Sequence, residues 1–152
     1  MRLALFEPEI AGNVGAAIRV AACFGAALDV IEPCGFPASD RSLRRAAMDY
    51  ADGLELKLHA DWAAFDAARR AEGRRLALLT TRAEASVYEM DWRENDILLI
   101  GRESAGAPAE VHAAADTRVR IAMAPGARSL NMAVAAAVAL AEARRRLGFP
   151  PT

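Results

Sequence analysis

The sequence predicts an α/β fold, a mostly parallel sheet flanked by helices, in a single domain over residues 1–152. Three observations predict it. Short apolar runs of strand length alternate with amphipathic segments of helix length along the whole chain. Several runs, such as Leu76-Ala77-Leu78-Leu79 and Ile97-Leu98-Leu99-Ile100, are apolar at every position, as expected of parallel strands covered on both faces. No internal repeat, low-complexity tract or linker divides the 152 residues, a length suited to one hydrophobic core.

Taken in order, residues 2–6 read as a buried strand and 14–24 as a helix with Gly25 near its end. Residues 28–31 form a second strand, stopped by Glu32-Pro33. Ser39 or Asp40 is placed to cap a basic helix running to Asp49, and 55–59 is a short strand. Asp61 caps an amphipathic helix that runs through Ala71 and stops at Gly73. Residues 75–80 and 97–100 are central strands. A turn region, 101–108, leads to a short helix over 109–115, and 119–123 is a further strand. Ser129 then caps the longest helix, 130–147. Through Ala141 this helix is apolar nearly all round, so it needs burial on more than one side, and a second subunit is an economical way to supply it.

Composition narrows the function. With 54% hydrophobic and 26% charged residues the chain can bury a core and is not of the disordered class. The most apolar stretch, 132–143, is too short for a bilayer, which takes roughly 20 residues. No apolar signal segment follows the N-terminus, so no membrane partner is expected. Cys23 and Cys34 form no CxxC pair and suit a reducing cytoplasm. His59 and His112 lack companions at metal-ligand spacing, so no metal is expected. Net charge is −1, which does not by itself mark a nucleic-acid binder. The basic side is nonetheless almost all arginine, Lys57 being the one lysine, with clusters at Arg41, Arg44 and Arg45, at residues 69–75 and at 144–146. Arginine forks phosphate in a way lysine cannot.

Common site motifs fail on spacing. Gly12-Asn13-Val14-Gly15 follows a strand and opens a helix but lacks the third glycine of a dinucleotide fingerprint. There is no Walker A sequence. In Gly101-Arg102-Glu103-Ser104-Ala105-Gly106 the serine falls one position too late for a nucleophile elbow. What remains are three polar islands, each directly after a strand: Glu7 to Arg19, Ile100 to Gly106 and Ile121 to Asn131. Ligands of parallel sheets collect beyond the carboxyl ends of strands, where glycines and helix N-termini leave backbone groups accessible.

In order and spacing these islands resemble the three motifs of the SPOUT 2′-O-methyltransferases: Asn13-x-Gly15-x-x-x-Arg19, Gly101-x-Glu103-x-x-Gly106 and Ser129-Leu130-Asn131. The resemblance covers nearly the whole chain. The segments Leu5-Phe6-Glu7-Pro8-Glu9-Ile10, Ile31-Glu32-Pro33 and Arg44-Arg45-Ala46 are similar to the short branch that methylates the wobble nucleotide of tRNA. The resemblance implies a C-terminal deep trefoil knot, S-adenosyl-L-methionine as cofactor, a homodimer, and the anticodon loop of tRNA as partner. It implies a cofactor site at Leu79, Thr80, Gly101, Glu103, Ile121, Met123, Ser129, Leu130 and Asn131. It places catalysis on Arg19 and Asn13, and RNA contacts on Arg19, Arg41, Arg44, Arg45 and Arg128. A guanidinium is a poor proton acceptor, so Arg19 is expected to position phosphate or stabilise developing alkoxide charge rather than act as base. A methyltransferase for another tRNA or rRNA site, or a catalytically silent RNA-binding module, are the alternatives on this fold. The sequence departs from the short branch at Ala16, where a second asparagine is usual, and at Ala141, where an aromatic is.

Overall fold

The computed structural model describes residues 1–38, 43 and 53–149. The basic helix expected over 39–49, with Arg41, Arg44 and Arg45, lies outside the described residues apart from Leu43.

β1 (Arg2–Phe6) sits at the centre of a six-stranded parallel sheet, between β2 (Ala27–Ile31) and β5 (Asp96–Ile100). β3 (Leu56–His59) forms one edge beyond β2, while β4 (Arg75–Leu79) and then β6 (Thr117–Val119) extend the other side beyond β5. Because strand side chains alternate, β1 feeds two cores. Leu3 and Leu5 pack with Val14 and Ile18 of α1 (Ala11–Cys23) and Ala136 and Leu140 of α4 (Met132–Leu147). Ala4 and Phe6 face the other side, with Phe65 of α2 (Trp62–Ala71) and Val111 of α3 (Ala109–Ala114). The layers are therefore α1 and α4 on one face and α2 and α3 on the other. Among the described residues no helix is long and apolar enough to cross a membrane.

Buried charge fastens β1, β2 and β3 to one another. Arg2 forks Asp29 across β1 and β2 at 2.6 and 3.1 Å, His59 Nε2 lies 2.8 Å from the same carboxylate, and Arg2 also reaches Glu55 at 2.8 Å. Burial of Asp29 works to raise its pKa, but hydrogen bonds from His59 and Arg2 outweigh it and hold the carboxyl below its ordinary range. Arg144 of α4 donates to the carbonyls of Phe24 and Gly25, satisfying the end of α1, and pairs with Glu94.

Two of the three arginine clusters visible in the sequence, residues 69–75 and 144–146, are neutralised in the fold. Arg69 and Arg70 share Asp66, Arg74 takes Glu72, and Arg75 takes Asp96. Arg145 and Arg146 both hold Glu142, while Arg93 and Arg102 pair with Asp91 and Glu7. These two runs of basic residues are thus not basic surfaces.

Element limits differ from expectation in three informative places. α1 begins at Ala11, a turn early, because its N-terminus is capped from a distant loop. α4 is capped by Asn131, whose Oδ1 accepts from the amides of Ala133 and Val134, and not by Ser129. β6 ends at Val119 rather than running over 119–123. Past Arg120, which bridges Ser86, the strand has no partner, and the apolar Ile121 and Met123 line a cavity instead. The last helix also buries Ala133, Ala136 and Leu140 within its own subunit, so the apolar surface it leaves exposed is Val134 and Ala141.

Candidate active site

The register of the sheet decides where the three polar islands meet. Leu5 of β1 and Leu79 of β4 both stand beside Ile100 of β5, so the loops after these strands emerge side by side. The first two loops are complementary in charge. Arg102 reaches Glu7 at 2.8 Å and lies over the Phe6 ring, 5.4 Å from its centroid. The Ser104 amide and hydroxyl both donate to Glu9 at 2.8 Å, and these bonds hold the Glu9 carboxyl below its ordinary pKa. Glu7 adopts a left-handed φ of 44°, a conformation that costs about 1–3 kcal/mol for a non-glycine residue and here rests on its bond to Arg102.

Glu103 explains the early start of α1. The residue at the helix N-cap is Ile10, whose side chain makes no capping bond, and the first turn has no acid. Glu103 supplies what is missing: its carboxylate accepts from the amides of Glu9 at 2.8 Å and Ile10 at 3.3 Å. The same carboxylate accepts from Asn13 Nδ2 at 3.0 Å, and Asn13 Oδ1 in turn accepts from Asn131 Nδ2 at 2.8 Å. Asn13, Glu103 and Asn131, one from each motif, are therefore one another's partners, in a chain that ties the start of α4 to the start of α1 through the loop after β5.

Around this chain lies a cavity of about 490 Å³. Leu79, Thr80, Gly101, Glu103, Ile121, Met123, Ser129, Leu130 and Asn131, the whole expected cofactor set, line it together with Asn13. Two of these residues have structural roles of their own. The carboxylate of Glu103 caps α1 and so organises the loop. At Gly101 a Cβ would come within 2.4 Å of the Ala107 nitrogen and the Gly106 carbonyl carbon, backbone of its own loop. The loop closes on itself through the Arg102–Gly106 bridge, with Gly106 at φ 68°.

Arg19 is exposed on α1 and does not line this cavity. It shares a helix face with the small exposed residues Gly12, Ala16 and Cys23. Arg128, expected as an RNA contact, lines a smaller adjoining cleft. Sequence reasoning missed Ile10, Arg82, Arg102 and His112 on the cavity wall. The acidic Glu7 and Glu9 of the first island against Arg102 and Ser104 of the second were a legible sign that these loops pair. For His112 no sequence signal existed. Burial, then the charges of Glu32, Glu103 and Glu7, push the Cys34 thiol up to about 11, which disfavours its thiolate at neutral pH.

The cavity has the size of a small-molecule site, apolar walls at Leu79, Ile121, Met123 and Leu130, and polar groups at Thr80 and Ser129. Those features lie at the carboxyl ends of a parallel sheet, where ligands of such sheets collect. Fold and site thus define a class, α/β proteins with a small-molecule-sized cavity in glycine-bearing loops beyond the strands. Within that class the chain belongs to the SpoU rRNA Methylase family, whose family model matches residues 1–141. A curated relative from Ancylobacter novellus, tRNA (cytidine(34)-2′-O)-methyltransferase, is 49% identical over 97% of this chain and 94% of its own. A solved structure concerning the 2-OH methylation of C/U34 on tRNA is similar at a TM-score of 0.87 and 45% identity, covering 96% of this chain and 95% of that one. An AdoMet-bound rRNA methyltransferase from Sinorhizobium meliloti is similar at 0.85 and 30% identity, covering 96% of this chain and 56% of that one.

Proposed function

We propose that this chain is an enzyme that transfers the methyl group of S-adenosyl-L-methionine to the ribose 2′-oxygen of the wobble nucleotide in the anticodon loop of tRNA, acting in the cytoplasm. The observation that carries the reading is the convergence of three sequence-distant motifs on one cavity, in a chain of this family whose relative acts, by its name, on cytidine 34. A 2′-hydroxyl exists only in RNA, and a loop nucleotide is not locked in a duplex.

The cofactor, when bound, supplies a methyl group already activated by a positive sulfur. The protein's task is alignment. Leu79, Ile121, Met123 and Leu130 offer apolar contact, Thr80 and Ser129 polar contact, and the Gly101 loop its backbone. Asn13, Glu103 and Asn131 hold these loops in register through their shared hydrogen bonds. Arg19 is assigned to the substrate: its guanidinium holds a phosphate beside the target or stabilises charge growing on the 2′-oxygen.

Since Arg19 does not line the cavity of its own chain, this role calls for a homodimer in which Arg19 of one subunit faces the cavity of the other. The stripe Gly12, Ala16, Arg19 and Cys23, with exposed Val134 in α4 and exposed Leu130 just before that helix, supports that arrangement. The chain acts as one domain. A trefoil knot belongs to the same reading. It is supported by the order β5-β4-β6 and by the pairing of Arg120 with Ala85 and Val87, which carries segment 120–131 past the loop after β4.

The test is methylation of unfractionated tRNA with labelled donor, followed by mapping of the modified nucleotide. Wild type should place a 2′-O-methyl group at the wobble position, and Arg19→Ala should lose transfer while keeping cofactor affinity. Incorporation at another nucleotide, or none, rejects the reading.

A further inference from the structure

Most described arginines have a carboxylate partner. Arg82, Arg118, Arg120 and Arg128 have none among the described residues, and all four are exposed. They are scattered in sequence but gathered in the fold. Arg118 and Arg120 lie two residues apart in extended chain at the β6 edge of the sheet, so they project from one face while Val119 between them is buried. Arg82 lines the main cavity beside His112, and the charges of Arg82 and Arg118 both bear on that imidazole, adding to burial in lowering its pKa. Arg120 and Arg128 line a cleft of about 240 Å³ that shares Thr81, Ile121 and Met123 with the main cavity. The four guanidinium groups thus form an arc from the mouth of the cavity along the β6 edge.

Gathering like charges without counter-ions opposes folding. The chain has 20 acidic residues and spends many of them neutralising its other arginines, so this arc stands out as charge kept available. Guanidinium groups two residues apart in a strand are about 6.6 Å apart along it, a spacing comparable to that of neighbouring phosphates in a nucleic-acid strand, and each can fork two phosphate oxygens.

We propose that Arg82, Arg118, Arg120 and Arg128 form a phosphate track that grips the RNA backbone leading away from the nucleotide in the cavity. This rests on the reading of the cavity as a methyl-transfer site for RNA. The track is continuous with the cavity of its own subunit, whereas Arg19 is assigned to the partner's, so target and flanking backbone are held from opposite sides.

The experiment measures binding of unfractionated tRNA by fluorescence anisotropy between about 50 and 200 mM salt, where each lost phosphate contact lowers the slope of log affinity against log salt by about 0.7–0.9. It uses full-length wild type, Arg118→Ala/Arg120→Ala, its Lys/Lys counterpart, and Arg70→Ala/Arg93→Ala, which removes equal charge from ion-paired arginines elsewhere. The track requires the Arg118/Arg120 alanine variant to bind at least tenfold more weakly with a slope shallower by one to two. Its thermal midpoint and S-adenosylmethionine affinity should be unchanged, the lysine variant should recover part of the slope, and the control should stay within twofold of wild type. An unchanged slope in the alanine variant, or an equal loss in the control, overturns the track. If wild type methylates tRNA while the alanine variant binds it normally, the track alone fails; if wild type neither binds nor methylates tRNA, the methyltransferase reading fails and takes the track with it.

Discussion

Single residues in this site serve their own loops before they serve a ligand. Gly101 shows it most clearly. An added methyl group would meet backbone at 2.4 Å, with no flexible side chain to give way. Gly101→Ala should therefore destabilise the protein by about 1–3 kcal/mol, as overpacking does, and weaken S-adenosylmethionine binding by tenfold or more as the loop opens. Denaturant unfolding and calorimetric titration read the two effects. A variant as stable as wild type and with intact affinity would contradict the contact. Glu103 follows the same logic: a motif residue that looks like a ligand contact in the sequence is, in the fold, the cap that α1 lacks.

At the scale of elements, three neighbouring parallel strands, β1, β2 and β3, are tied together by the buried cluster of Arg2, Asp29 and His59. Arg2 is 4% exposed, so Asp29→Asn leaves a buried guanidinium facing a neutral amide and should cost about 3–5 kcal/mol at neutral pH. The pH dependence has a definite sign. The folded pKa of Asp29 lies below its unfolded value of about 3.9, so its stabilisation is fully present above that value and is lost as pH falls through the folded pKa. The gap in unfolding free energy between wild type and Asp29→Asn should be widest near neutrality and narrow below about pH 4. A gap that stays constant down to pH 2 would show that Asp29 acts through packing alone.

For the whole molecule, assembly turns on which face of α4 is left over. Leu140 is fully buried in the subunit's own core, and Val134 is 49% exposed. Leu140→Glu should therefore fail to fold, since it buries an unpaired charge. Val134→Glu should fold with a normal thermal midpoint, shift the sedimentation equilibrium from dimer toward monomer, and lower tRNA methylation in parallel. A Val134→Glu chain that stays dimeric and fully active would move the interface elsewhere. The track at the β6 edge belongs to this scale as well, because it couples one subunit's edge strand to the cavity it borders.

What the sequence determined by itself was local and periodic. Continuous apolar runs marked β1, β4 and β5, Asp61 and Gly73 marked the ends of α2, and three motifs carried the family resemblance that implied the residues of one cavity. Each of these signals lies within a dozen or so neighbouring residues, where turn chemistry and side-chain alternation act. The tertiary structure alone decided the rest. A cap given to α1 by Glu103, ninety residues away, moved a helix start that local rules place later. Apolar Ile121 and Met123 read as strand because lining a cavity and lining a sheet select the same side chains. Which arginines remain free to meet phosphate depended on which carboxylates folding brought beside the others. Charge pairing across the sheet is a long-range outcome, and nothing in the spacing of Arg82, Arg118, Arg120 and Arg128 along the chain announces it.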